Sequence, residues 1–534
     1  MNPSPLSPIF APAHSALAAA WKMLGYERDA KEEAQKAYKL ASNLPREEQL
    51  SVEARYRELS TQWDEAIHLY QTLWHDFPDN VEYGLRLASA QKSGSKAKDS
   101  LTTIEMLRAL PPPSRDDPRI DLAEAYAAYA LGNLKQSQEA ATKAVEKSET
   151  LGASHILAKA KTAQANVLFH QQDLPAALNL FRQSHDIYQE AGDTSGVTSS
   201  LGNIASVLQE QGQLAEALGM YEKALDIFLK DGDKSSAALT LNDMGAVFER
   251  QRNFVEASKE FGKSLAIYRD LGDKLHQGLV LDNIGQVLYL GGDLPGARKM
   301  LDSALAVDRE IANQVAIAEV LSDLSGVLVA EGDLADARKS LDEALKIWTD
   351  IGETDSASDT RLALAQLSLA EGHWSEAETS ARKITEDAVK QKQVGREAQA
   401  RIVLAQALLA QNKVSEAAVV AALAGSFAAE IPDPDAQLTA RILVSRVQGL
   451  SDDASGQLQA IQTLQQYIEQ ASKGAFLEQR MQGELALGEV EIAAGKSDTG
   501  RARLQSLQKQ ATARGYLLIS RQAAAARTPF SASN

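Results

Sequence analysis

From about residue 155 the chain repeats itself every 40 residues, and that period limits it to a stack of like units before any single motif is weighed. The segments HQQDLPAALNLF, EQGQLAEALGMY, RQRNFVEASKEF, LGGDLPGARKML, AEGDLADARKSL and AEGHWSEAETSA follow one another in register. Their shared small residue is Ala177, Ala217, Ala257, Ala297, Ala337 and Ala377, and Ala417 continues the series. Between them recurs a second marker, Gly192-Asp193, Gly232-Asp233, Gly272-Asp273 and then Gly352-Glu353.

Each unit reads as two helices. In the first, Leu201, Ile204, Val207 and Leu208 have counterparts in Leu241, Met244, Val247, Phe248 and in Leu281, Ile284, Val287, Leu288, at offsets that line one helical face. A small residue (Ala205, Gly245, Gly285 or Ser325) lies beside that stripe, where two helices approach closely. Gly212, Gly292, Gly332 or Gly372 closes the first helix in a left-handed turn. Asp173, Asp293 and Asp333 follow at N-cap positions, with Pro175 and Pro295 in the first turn of the second helix. Phe181, Tyr221, Phe261, Leu301 and Leu341 mark its inner face. One pair cannot bury both faces, so stacking makes the core.

The pattern resembles the tetratricopeptide repeat family in its small positions, its Gly-Asp turn and its second-helix aromatic. The resemblance implies an all-α solenoid, a right-handed superhelix of helix-turn-helix pairs. The family's usual period is ~34 residues, and the longer repeats here are similar to those of kinesin light chain and of peptide-binding cell-polarity adaptors. The domain organisation expected is a tail at 1–12, four shorter repeats over 13–150, six regular repeats over 155–392, degenerate repeats over 394–516 and a tail at 517–534, about thirteen pairs in all. In the short repeats, Leu24-Gly25-Tyr26 with Ala30, Ala34 and Ala37 marks one pair. Trp63, Ala66, Tyr70 and Leu73 mark another, ended at Phe77-Pro78, and Leu131-Gly132-Asn133 with Ala140 and Ala144 marks a fourth. The triple proline at 111–113 predicts a stiff link. Loops are expected at 431–434 and 451–456, and Gly449, Gly456 and Gly474 are expected to interrupt the late pairs.

The N-terminal stretch from APAHSALAAAW to LPREEQL, with LPPPSRDDPRIDLAEA further on, also resembles the repeat portion of large bacterial signalling proteins. There a protein kinase or a winged-helix domain precedes the repeats. This chain has no H-R-D or D-F-G triplet and no room for such a head before its first repeat, expected at about residue 13, so the resemblance implies a sensor or docking role and no catalytic residue.

Composition excludes other classes. Across 534 residues the net charge is −17, which argues against a nucleic-acid partner. The exception is the run after Asp498, where Arg501, Arg503, Lys509, Arg514, Arg521 and Arg527 meet no acid. It reads as a basic last helix with a frayed tail, or else as a surface for an acidic partner. The absence of cysteine removes thiol chemistry. No apolar run is long enough to span a membrane, and the N-terminus lacks the charged start of a secretory signal, so a cytoplasmic location is expected. The nearest phosphate-loop match, Gly291 to Lys299, puts Ala297 where Lys is required. The eight histidines show no metal-ligand spacing. No enzyme activity, cofactor or metal is therefore expected, and the oligomeric state is left open.

Two functions fit: a scaffold that binds an extended peptide or partner protein in its concave groove, or a sensory module whose groove takes a small ligand or signal peptide. In the family, first helices line the concave face and one position there often carries Asn that grips a peptide backbone. The position in register is Asn203, Asp243, Asn283 and Asp323, bracketed by Ala163 and Ala363. Asn both donates and accepts, while Asp only accepts, so the bound segment would be extended and would favour Lys or Arg opposite the two Asp. The alternative is that these four side chains tie one repeat to the next. Neighbouring positions carry Ser199, Leu239, Leu279 and Glu319, or Gly202, Asn242, Asp282 and Ser322. With no Lys among them, the carboxylate-clamp ligand of the chaperone-binding members is not expected.

Overall fold

The computed structural model describes residues 10–23, 27–431, 433–450 and 454–527. The Leu24-Gly25-Tyr26 marker, Pro432 and residues 451–453 of an expected loop lie outside them. The described residues form 27 α-helices and three short 3-10 turns, without a strand. The chain falls into two compact units, 1–247 and 248–534, and within each unit successive helices pack pairwise.

The local chemistry is that of the period. Asp173, Asp193, Asp273 and Asp293 each accept a hydrogen bond from the backbone N–H three residues on, capping the helix that follows. Asp333 stands at the same position and makes no such bond. Gly292, with φ of +85°, ends its helix in the left-handed conformation expected of it. Gly285 shows why the small position is small: a Cβ there would stand 2.7 Å from Leu301 of the next helix.

In the unit 1–247, Tyr70, Leu73 and Trp74 pack with Leu87, Ile104, Leu107 and Ile120. Further along, Phe181, Ile204, Leu208 and Tyr221 form the core of the first long repeats. The helix Trp63–Asp76 stops just before Pro78, whose carbonyl accepts from the Trp74 indole. Helix begins at Phe10, inside the segment expected as tail, because Ala11 and Ala18 are buried.

In the unit 248–534, Phe261, Leu301 and Leu341 are buried at equivalent places. The later cores rely more on alanine, as in Ala381, Ala400, Ala405, Ala417 and Ala421. Three expectations change here. Gly456 does not interrupt a helix. It lies in the first turn of Ala454–Lys473, while Gly449 is the last residue of Pro434–Gly449 and a close-packing point, since a Cβ there would come 2.5 Å from Val490. Ala454 to Gly456, expected as loop, open the helix Ala454–Lys473. Leu517–Ala525, expected as tail, is a helix with Ile519 and Ala523 buried. Its apolar side chains find partners far back in the sequence, which a repeat pattern read locally does not reveal.

This unit also closes on itself. The helices Leu477–Ala493 and Leu517–Ala525 pack against Lys274–Gly291 and Gln314–Glu331. Tyr289 Oη donates to Glu478 Oε2 at 2.7 Å. Arg252 donates to Asp435 at 2.9 Å and to the Ala475 carbonyl at 3.3 Å, with its guanidinium 3.8 Å from the centre of the Phe476 ring. Arg521 donates to the Gly332 carbonyl at 3.3 Å. The basic run is therefore partly internal: Arg503 is bound to Glu484 and Glu491, and Arg521 serves the closure.

Candidate functional site: a cavity between first helices

Inside the unit 248–534 the closure borders an open cavity of about 1840 Å³. Its wall comes from the first helices of successive pairs, Gln314–Glu331, Thr354–Ala370, Val394–Ala410, Pro434–Gly449 and Leu477–Ala493, and from Leu517–Ala525. Residues forty apart recur on it, as in Tyr289, Val329, Leu369 and Leu409, or Gln366 and Gln406. The helical stripe that each repeat leaves free of its own core is thus the stripe that faces this space.

Much of the wall's charge is already paired. Arg396 donates to Asp355 at 3.1 Å and to Asp359 at 2.8 Å, and its hydrogen bond holds the Asp355 carboxyl below the usual range. Arg446 grips Glu489 through two bonds, at 2.6 and 3.0 Å, and Glu371 is taken by Arg338. Burial pushes the Glu478 carboxyl up, against the hydrogen bonds from Tyr289 and Gln482. Among apolar patches formed by Leu362, Ile402, Leu409 and Ile492, the amides of Gln366, Gln399, Gln406 and Gln522 face the space with no hydrogen bond to any described residue. Each offers one donor group and one acceptor.

The four ladder residues all lie on first helices and are half-buried. In the unit 1–247, the Asn203 side chain makes no hydrogen bond to a described residue. Burial raises the Asp243 carboxyl to about 6, opposed by a hydrogen bond with Asn242. In the unit 248–534, Asn283 has a partner within the chain. Asp323 accepts from Gln286 of the preceding first helix at 2.8 Å, and Gln286 also donates to Asp282 at 3.1 Å. At Asp323 the side chain thus links neighbouring repeats, as the alternative reading has it. The cavity is lined at this register by Ala363.

Around Asp323 the structure gathers carboxyls that the ladder alone does not reveal. Burial first, then the charge of Asp323, raises Asp282. Burial raises Asp323 and Glu319, and lifts Asp308 to about 6. Asp308 comes from a second helix and is fully buried against Gly278, so its place in this group depends on packing. Gln366 and Gln406 could have been found in the sequence by the same forty-residue step that marks the ladder, three positions further along the helix. Among the described residues no group of three or more His, Asp or Glu is arranged to hold a metal.

Against known families, residues 156–230 and 235–310 match the one described as Tetratricopeptide repeat. These segments are tetratricopeptide repeats. No curated protein matches the chain significantly. Among solved structures, the quorum sensor NprR from B. thuringiensis in its apo form is 16% identical, covering 62% of this chain and 96% of that one, with a TM-score of 0.45. BtubC from P. vanneervenii is 22% identical, covering 41% of this chain and 92% of that one, at 0.38. A signal transduction ATPase with a tetratricopeptide repeat sensor from Pyrococcus horikoshii is 16% identical, covering 67% of this chain and 56% of that one, at 0.47. The match begins where the forty-residue period becomes regular.

Proposed function

We propose that the chain is an interaction module that binds an extended peptide or a protein segment between its first helices, without catalysis. The observation that carries this reading is the set of unengaged amides, Gln366, Gln399, Gln406 and Gln522, spread over a wall with apolar patches. An extended backbone presents C=O and N–H groups that such amides satisfy, while side chains fill the apolar stretches. The carboxyls along the first helices favour basic residues on the partner and disfavour nucleic acid. Among the described residues no helix is long and apolar enough to cross a membrane, and the proposed setting is the cytoplasm.

The test is to pan a random dodecapeptide display library on the full chain. Enriched peptides should bind the purified protein and lose at least ten-fold in affinity on joint Gln366→Ala and Gln406→Ala substitution, at unchanged melting temperature. Failure to enrich any peptide sinks the reading.

The ring-closing contacts support a second reading, a sensor. A ligand that changed the superhelical pitch would have to make or break the Tyr289–Glu478 and Arg252–Asp435 contacts, so binding and closure would be linked. A small molecule that raises the melting temperature while slowing hydrogen exchange at residues 477–493 would favour it.

A further inference from the structure

We infer that the face made by the first halves of the helices Lys274–Gly291 and Gln314–Glu331 takes a Lys or Arg side chain flanked by apolar residues, presented by an amphipathic segment of a partner protein. The inference deepens the peptide-binding reading and rests on it.

The apolar part is exposed and unpartnered. Leu275, Leu279 and Val315 are 53%, 48% and 45% exposed. Leu275, Leu279, Asp282 and Gln286 fall four, seven and eleven residues along one helix, so they share a stripe; Val315, Glu319 and Asp323 do the same on the next. The Gln286–Asp323 hydrogen bond sets the two stripes side by side. Three exposed aliphatic side chains thus adjoin three carboxyls, Asp282, Glu319 and Asp323.

Those carboxyls lack counter-charge. No Lys or Arg among the described residues forms an ion pair with any of them or with Asp308. One repeat later, Asp359 at the position of Glu319 and Asp355 at that of Val315 have Arg396. A second, independent observation points the same way. Asp308 is 1% exposed, and neither of its carboxylate oxygens has a hydrogen-bond partner. It lies against Gly278, one turn before Asp282, and its charge bears on Asp282 while that of Glu319 bears on it. Asp282 Oδ1 is buried and unpartnered as well. Placing uncompensated acids in low dielectric is costly, and a cation at their mouth offsets the cost. Because the residues are not arranged for a metal, the cation is an ammonium or a guanidinium. The flanking leucines require that it arrive with apolar neighbours, as on a basic amphipathic segment.

The experiment uses the full chain and the dodecapeptide library described above. Enriched peptides should carry Lys or Arg next to apolar residues. Their affinity should fall at least ten-fold on joint Asp282→Asn and Asp323→Asn substitution, and also on Leu279→Ser, which leaves the acids in place. The asparagine variant relieves repulsion, so its melting temperature should not fall; if it does, Leu279→Ser alone decides. Peptides that lack a basic residue, or that lose affinity with Gln366→Ala and Gln406→Ala but not with these variants, overturn this inference and leave the peptide-binding reading standing. Spermidine binding at the acids without competition from any enriched peptide also overturns it, and enrichment of no peptide at all removes both.

Discussion

Tyr289 and Glu478 stand 189 residues apart in the chain, and a 2.7 Å hydrogen bond joins them where the helices Lys274–Gly291 and Leu477–Ala493 meet. Both residues are half-buried, and the loss of water around their polar ends pushes the tyrosine hydroxyl well above its usual range and raises the carboxyl of Glu478. Both residues line the cavity, so the closure and the proposed binding wall share them.

Tyr289→Phe should therefore loosen the closure. It leaves Glu478 with the Gln482 amide alone, and an under-satisfied buried acceptor costs about 1–3 kcal/mol. Hydrogen exchange should accelerate at 477–493 and 517–525, with little change in the unit 1–247. Glu478→Gln keeps an acceptor for the tyrosine hydroxyl and should be tolerated better. Equal acceleration along the whole chain would show that the contact does not close this unit in particular.

Stability should peak on the acid side of neutrality. Burial raises Asp243 and Asp308 to about 6, above the unfolded value near 3.8. The unfolded chain gives up these protons first, so stability falls as pH rises from about 4 through about 6, and the raised Asp282 extends the loss upward. Glu378 acts in the opposite sense. Its hydrogen bonds with Lys413 and Arg382 hold it at about 2, so its contribution is present above about 4.5 and is lost as pH falls through about 2. Melting curves across pH should show a maximum between these windows, and Asp308→Asn should flatten the alkaline limb. A melting temperature that climbs steadily to pH 8 would contradict this assignment.

How far the sequence carries can be seen at particular residues. The helix pairs were legible because period, caps and small residues agree: Ala217 and Ala257 are buried, and Asp293 caps its helix. The closure was not. A repeat pattern encodes contacts between neighbours, whereas the partners of Tyr289, Arg252 and Gly332 lie 183 to 223 residues on. For the same reason Leu517 to Ala525 looked like a tail. The acidic group was half-legible. Asp282, Glu319 and Asp323 stand at positions the register singles out, but Asp308 joins them only through the packing of a second helix against Gly278.

Two glycines on first helices should respond oppositely to alanine. At Gly285 the added Cβ would meet Leu301 at 2.7 Å, and overpacking of that kind costs about 1–3 kcal/mol. At Gly326, a helical site on the cavity wall, the nearest atom is the Tyr289 hydroxyl at 4.0 Å. Alanine there should stabilise by about 0.5–1 kcal/mol through helix propensity. Chemical denaturation of both variants gives the signs directly, and stabilisation by both would mean that Leu301 moves aside freely.

The ladder residues should separate by what their side chains already do. Asn203 has an amide with no partner among the described residues, so Asn203→Ala should leave melting almost unchanged. If that amide grips a bound backbone, binding of an enriched peptide should weaken by about 0.5–1.5 kcal/mol, the usual worth of one hydrogen bond. Asp323 is bound to Gln286 across the repeat boundary and carries a raised carboxyl. Its replacement by Ala loses one inter-repeat bond but also removes a buried charge that repels Asp282 and Glu319. The two effects oppose: at pH 5 the lost bond should dominate and lower the melting temperature slightly, and as pH rises relief of the repulsion should offset that loss. Joint Asn203→Ala and Asn283→Ala substitution completes the test. A sharp fall in melting temperature, with binding per folded molecule unchanged, would make the ladder a set of ties between repeats and remove it from the binding surface.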